Sequence, residues 1–126
     1  MKEIFFNILT RTSNRPNYFK RCCTSIDTQS YKNFQHIVCT DDINSVEYIK
    51  ESGRNPILVE RIKKDERIRN SILSTPYNLY LNNLYNHVNE GYVIFIDDDD
   101  EFCSTDALFF LSQCLSENSN LDDKML

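Results

Sequence analysis

The sequence predicts an α/β fold: a three-layer sandwich with a mainly parallel sheet and helices on both faces. Three observations predict it. Short apolar, β-favouring runs alternate along the chain with stretches of helical periodicity. Several of these runs are apolar almost throughout, as strands covered on both faces are. Three of them end directly in polar or acidic clusters, at residues 10–14, 40–42 and 97–101. In open parallel sheets ligands bind beyond the carboxyl ends of the strands, where the strand order reverses.

The elements follow in order. Residues 4–10 form the first apolar run and predict a strand. Ser13, Asn14, Arg15 and Pro16 then signal a helix start, because proline is favoured in the first helical turn. Tyr18, Phe19, Cys22, Cys23 and Ile26 recur at helical spacing and make one apolar stripe. Residues 34–40 predict the second strand, which runs straight into Asp41 and Asp42. A short helix over 44–52 stops near Gly53, and residues 56–60 give a short third strand. Residues 61–70 are a charged stretch with little periodicity, read as a loop or a helix turn. Pro76 then precedes a helix over 77–89, with Tyr77, Tyr80, Leu81, Leu84, Tyr85 and Val88 at helical spacing and Gly91 beyond its end. Residues 92–96 are wholly apolar and predict a central fourth strand. A last helix over 105–115 has Ser104 or Thr105 as its expected cap.

Composition sets the frame. A chain of 126 residues is expected to form a single domain over 1–126. The net charge of −5 speaks against nucleic acid as the main partner, since duplex binding needs a basic face. It does not exclude a phosphate ligand held through a metal ion. The five cysteines have no zinc-ligand spacing and read as small buried apolar residues in a reducing compartment. No run reaches the roughly 20 apolar residues of a membrane span, so a cytoplasmic location is expected.

The chemistry gathers at the strand ends. Asp97, Asp98, Asp99, Asp100 and Glu101 are five consecutive carboxylates after an apolar strand. Such a run repels itself unless it is solvated or neutralised by a cation. In an extended segment Asp97 and Asp99 face one way and Asp98 and Asp100 the other. One such pair offers hard oxygen ligands to Mn²⁺ or Mg²⁺ and leaves positions open for phosphate oxygens. A solvated acidic loop is the bland alternative. Asp41 and Asp42 could accept a hydrogen bond from a base or ribose, or could simply cap the following turn. Thr10, Arg11 and Thr12 lie in a polar, basic turn that has no glycine pattern. The chain holds only Gly53 and Gly91, so a glycine-rich phosphate cradle is excluded. His36 and His87 are isolated and read as packed or surface residues.

Taken together, the stretches 8–42 and 80–102 resemble the N-terminal half of family 2 glycosyltransferases of the GT-A fold. The resemblance rests on Arg15 and Pro16 at the first helix, on Gln29, Ser30, Tyr31, Lys32 and Asn33 in the turn that follows it, on Asp41 and Asp42, and on an Asp-x-Asp motif at Asp97–Asp99. It implies a metal-dependent enzyme of hexosyl-transfer type that takes a sugar from a nucleotide-sugar such as a UDP-sugar. Thr10, Arg11, Thr12, Asp41, Asp42, Asp97 and Asp98 would then line the nucleotide site. Thr10 and Thr12 would line the nucleoside pocket and Asp41 or Asp42 would read the base. Asp99, with Asp97, would hold Mn²⁺ or Mg²⁺. One of Asn82 and Asn83, and an arginine between Arg61 and Arg69, occupy further matching positions. The family's general base lies in an acceptor-binding half well beyond the Asp-x-Asp motif. By that resemblance the chain is either a fragment or a reduced form that binds donor without full catalysis, or else a homodimer or partner chain completes the site; Glu117, Asp122 and Asp123 are base candidates only by default. A non-catalytic nucleotide-sugar-binding module working with another chain is the alternative. A metal-dependent phosphohydrolase with an aspartyl nucleophile fits less well, because its Asp-x-Asp follows the first strand rather than the fourth.

Overall fold

The computed structural model describes residues 3–60 and 84–118. The elements are β1 (Phe6–Arg11), α1 (Pro16–Asp27), β2 (Phe34–Thr40), a 3₁₀ turn (Ile43–Ser45), α2 (Val46–Glu51), β3 (Ile57–Leu58), β4 (Tyr92–Phe95) and α3 (Ala107–Glu117). The four strands form one sheet in the order β3-β2-β1-β4, and every pairing is parallel. Phe6 pairs with Phe34 on one side and with Tyr92 on the other. The α/β architecture expected from the sequence is therefore present.

Side-chain alternation along β1 divides the core in two. Phe6 and Ile8 point to the face covered by α1 and α3, where they meet Cys22, Ile26, Leu108 and Leu115. On the same side Phe19, Cys23, Val38 and Ile49 join α1 to α2 through β2. Leu9 points to the other face and packs with Cys39, Leu84 and Val93. Leu84 and Tyr85 are the helical residues described on that side. Most of the helix expected over 77–89 lies outside the described residues. So do the charged stretch 61–70, Asn82, Asn83, Asp122 and Asp123.

Asn7 is a polar residue between the apolar Phe6 and Ile8 of β1, and it is fully buried. Its amide nitrogen donates to the carbonyls of Glu90 at 2.6 Å and Tyr92 at 3.3 Å, and its oxygen accepts from Gln35 at 2.6 Å. Satisfied in this way, the amide carries no unpaired-burial penalty and ties the entry of β4 to β1. Gly91 makes that approach possible. Its φ is +97°, and a Cβ there would stand 2.5 Å from the Phe5 carbonyl oxygen.

Several boundaries differ from expectation. β4 stands at the end of the sheet among the described residues, not at its centre, and Phe95 is 38% exposed. An all-apolar run marks burial on two faces, which an end strand can also have. Tyr18 is exposed, because it lies on the edge of the α1 stripe, whereas Phe19, Cys22, Cys23 and Ile26 are buried. Only Cys22, Cys23 and Cys39 are the buried thiols expected; Cys103 and Cys114 are exposed. The helix before β4 ends early, with His87 and Val88 in a turn that bonds back to Leu84 and Tyr85. α3 begins at Ala107, and neither Ser104 nor Thr105 caps it. Gln29 Oε1 instead accepts the Leu108 amide at 3.0 Å, so a residue from α1's end satisfies an orphan donor of a distant helix.

Candidate nucleotide and metal site

The turn after α1 fastens the loop that follows the acidic run. Gln29 Nε2 donates to the Ser104 carbonyl at 2.7 Å, and the Ser30 hydroxyl donates to Asp106 at 2.6 Å. The Tyr31 hydroxyl and Asn33 Nδ2 both donate to the Ile4 carbonyl, the second at 2.8 Å. The Phe102 amide donates to Ser25 Oγ at 3.1 Å. Residues 101–106 are thus laid along α1, and the acidic run is held at the carboxyl end of β4.

Three strand ends meet above the sheet. β2 and β4 flank β1, so the order reverses at β1, and the crevice between β1 and β4 is the switch point of the sheet. At the end of β1 the chain turns through Asn14, whose φ is +53°, a left-handed conformation that asparagine tolerates. The Asn14 amide donates to Ser45 Oγ at 2.9 Å, and Ser45 Oγ donates to Asp42 Oδ2 at 3.0 Å. Asp42 also accepts from the Asn44 amide at 3.0 Å. Both of its carboxylate oxygens therefore cap the 3₁₀ turn, the role a turn aspartate ordinarily has. Asp41 instead faces Arg11, 3.7 Å away, across the ends of β1 and β2.

The acidic run is not extended, and this changes which carboxylates meet. The Asp100 amide bonds to the Asp97 carbonyl at 3.0 Å, closing a tight turn through Asp98 and Asp99. The turn gathers Asp97, Asp99 and Asp100, whose exposed carboxylate oxygens lie within 4.8 Å of one another. Asp97 and Asp99, expected as metal ligands, are together, and Asp100 joins them in place of pairing with Asp98. Asp98 points the other way, inward, and is 7% exposed.

Asp98 is the anchor of a hydrogen-bond chain. Its Oδ2 accepts from the fully buried Thr12 hydroxyl at 2.9 Å. With that proton committed, Thr12 Oγ1 accepts from the Tyr48 hydroxyl at 2.8 Å. Tyr48 Oη in turn accepts from the Arg15 amide at 3.2 Å. Every donor in the chain points toward the carboxylate, so each bond polarises the next. The Arg15 guanidinium closes the circuit outside, 3.6 Å from Asp98 and 3.4 Å from Asp99. Burial pushes the Asp98 carboxyl up, while the Thr12 hydrogen bond and Arg15 pull it back. Tyr48 carried no signal in the sequence beyond its place in a short helix.

Thr10 lies elsewhere. It is fully buried under α1, and its hydroxyl meets His36 Nε2 at 2.7 Å. His36 is not isolated: its Nδ1 accepts from Arg54 Nε at 3.1 Å, and Arg54 forms a two-pronged pair with Asp27, both contacts 2.8 Å. With Nδ1 accepting, the neutral ring carries its proton on Nε2 and donates it to Thr10. Burial and the Arg54 charge push the imidazole down to about 3. Thr10 thus supports the strand end from beneath, while Arg11 and Asp41 pair across the ends of β1 and β2, and Thr12 and Asp98 bond across the ends of β1 and β4. Glu117 is the last residue of α3.

No family model matches the chain, and no curated protein matches it in sequence. Solved structures do match. The crystal structure of S. aureus TarS 1-349 superposes with a TM-score of 0.67 at 17% identity, covering 92% of this chain and 33% of that one. Full TarS gives 0.65 at 17% identity, covering 90% and 20%. TarS 1-349 in complex with UDP gives 0.63 at 17% identity, covering 92% and 33%. The chain therefore spans about a third of the shorter TarS structure. Among the described residues no helix is long and apolar enough to cross a membrane. At this identity the likeness establishes the fold, and the chain has the parallel α/β fold found in TarS.

Proposed function

We propose that this chain is the donor-binding domain of a metal-dependent glycosyltransferase that uses a nucleotide-sugar such as a UDP-sugar. One observation carries the reading: Asp97, Asp99 and Asp100 present clustered carboxylate oxygens at the β1–β4 switch point. Two others support it, namely the resemblance of the sequence to family 2 glycosyltransferases and the fold shared with a protein crystallised with UDP. Three exposed hard oxygen donors within 4.8 Å suit Mn²⁺ or Mg²⁺, which prefer carboxylate ligands and keep positions for phosphate. Bound there, such an ion supplies positive charge to a departing diphosphate.

The chain's own residues have separable tasks in this reading. Asp99, with Asp97 and Asp100, holds the ion. Asp98 and Thr12 fix the turn from within. Arg15, 48% exposed, lies against Asp99 and is within reach of a phosphate entering the crevice. Arg11 and Asp41 form the wall toward β2, where a base would lie, and Asp42 keeps that wall in shape by capping the turn. An acceptor hydroxyl needs a base to take its proton, and that group belongs to an acceptor-binding half contributed by further chain, a partner or a second copy.

Calorimetric titration of UDP with Mn²⁺, with EDTA, and into Asp99→Ala tests the proposal. Micromolar binding is expected with Mn²⁺, weakened at least tenfold by EDTA or by the substitution. Binding of equal strength in EDTA would refute it. A non-catalytic nucleotide-sugar-binding module working with another chain is the second reading. Donor binding without hydrolysis or transfer, in the presence of varied acceptors, would select it.

A further inference from the structure

We infer that Tyr48 is a positioning residue for the acidic turn, an inference that rests on the metal-site reading above. The turn carrying Asp97, Asp99 and Asp100 follows β4, the end strand among the described residues, and its carboxylates repel one another. Something must hold it in the clustered conformation. The one inward carboxylate, Asp98, is bonded to Thr12, and Thr12 is bonded to the Tyr48 hydroxyl, which also receives the Arg15 amide. Tyr48 therefore joins α2, the β1 turn and the β4 turn in one chain of hydrogen bonds. Its ring has a separate task, packing against Phe19 with centroids 5.7 Å apart and joining the cluster of Phe19, Cys23, Val38 and Ile49. The hydroxyl and the ring can thus be tested apart.

Tyr48→Phe keeps the ring and deletes the hydroxyl. Thr12 Oγ1 then loses its donor, and the Arg15 amide loses its acceptor. The bond to Asp98 is weakened, because it is no longer polarised from behind. Loss of one internal hydrogen bond of this kind corresponds to about a tenfold change in an equilibrium that depends on it. The expected result is a roughly tenfold weaker affinity for Mn²⁺ alone, read from free Mn²⁺ by electron paramagnetic resonance, with the melting temperature held within a few degrees. Thr12→Val cuts the same chain one link nearer to Asp98 and is expected to weaken Mn²⁺ at least as much. Because both act through one chain, the double variant should lose little more than Thr12→Val alone. A Tyr48→Phe protein with Mn²⁺ affinity within twofold of wild type overturns the inference, and so do additive losses in the double variant. Either result leaves the donor-site proposal standing if wild type binds UDP with Mn²⁺. A wild-type protein that binds no Mn²⁺ overturns both.

Discussion

Acidification tests the packing of His36, and the size of the effect follows from the structure. The imidazole sits between the Thr10 hydroxyl and Arg54 Nε, with Phe19 stacked 6.3 Å away at 26°. Its Nδ1 is already an acceptor, so adding a proton there breaks the Arg54 bond and sets two cations in contact. Burial, and then Arg54, hold its pKa down at about 3, against about 6.5 in an unfolded chain. The folded state thus excludes a proton that the unfolded state takes up. Stability is complete above 6.5 and is lost as pH falls, levelling off only near 3. Each unit below 6.5 removes about 1.4 kcal/mol, so moving from pH 8 to pH 5 removes about 2 kcal/mol through this residue. A folded pKa one unit higher would leave that figure almost unchanged. Urea unfolding of wild type and His36→Gln at pH 8, 7, 6 and 5 isolates the effect. The variant is expected to be less stable at pH 8 but to fall less steeply, so that the two curves converge by about 2 kcal/mol at pH 5. Parallel curves would mean that His36 is solvated or already shares its proton, and the deduced tautomer would be wrong.

Two further tests address the backbone and the thiols. Gly91→Ala meets both a φ of +97° and a backbone oxygen 2.5 Å from the new Cβ, whereas Gly53→Ala meets a φ of +80° but no atom within 4 Å. Thermal unfolding is expected to place the first at least about 2 kcal/mol below wild type and the second at about 1 kcal/mol. Equal losses would mean that the Gly91 approach relaxes freely. Burial raises Cys22 and Cys39 to about 12 and Cys23 to about 11, while Cys103 and Cys114 are exposed. Ellman's reagent at pH 8 should therefore titrate two thiols rapidly in the native protein and all five in urea. A third fast thiol would contradict the packing of α1 against the sheet.

The sequence by itself determined the parallel α/β frame, because covered strands and amphipathic helices have periods that do not depend on distant partners. Ile8, Leu9, Phe19, Cys22 and Ile26 announce their burial through spacing alone, and Pro16 announces the start of α1. It also located the candidate site, since ligands in such sheets gather at strand ends and three polar ends were visible. What it could not determine was which way each carboxylate turns. Extended geometry pairs Asp97 with Asp99 and Asp98 with Asp100, but one backbone hydrogen bond from Asp100 to Asp97 reverses the second pairing. That bond forms where the turn is held by Thr12 and Tyr48, 86 and 36 positions apart in the bonds that matter. The role of Gln29 at α3, of Arg54 at His36 and of Tyr48 beneath the acidic turn is likewise decided by contacts between elements. Periodicity reports the face a residue occupies; only the folded chain decides which polar atom waits on the other side.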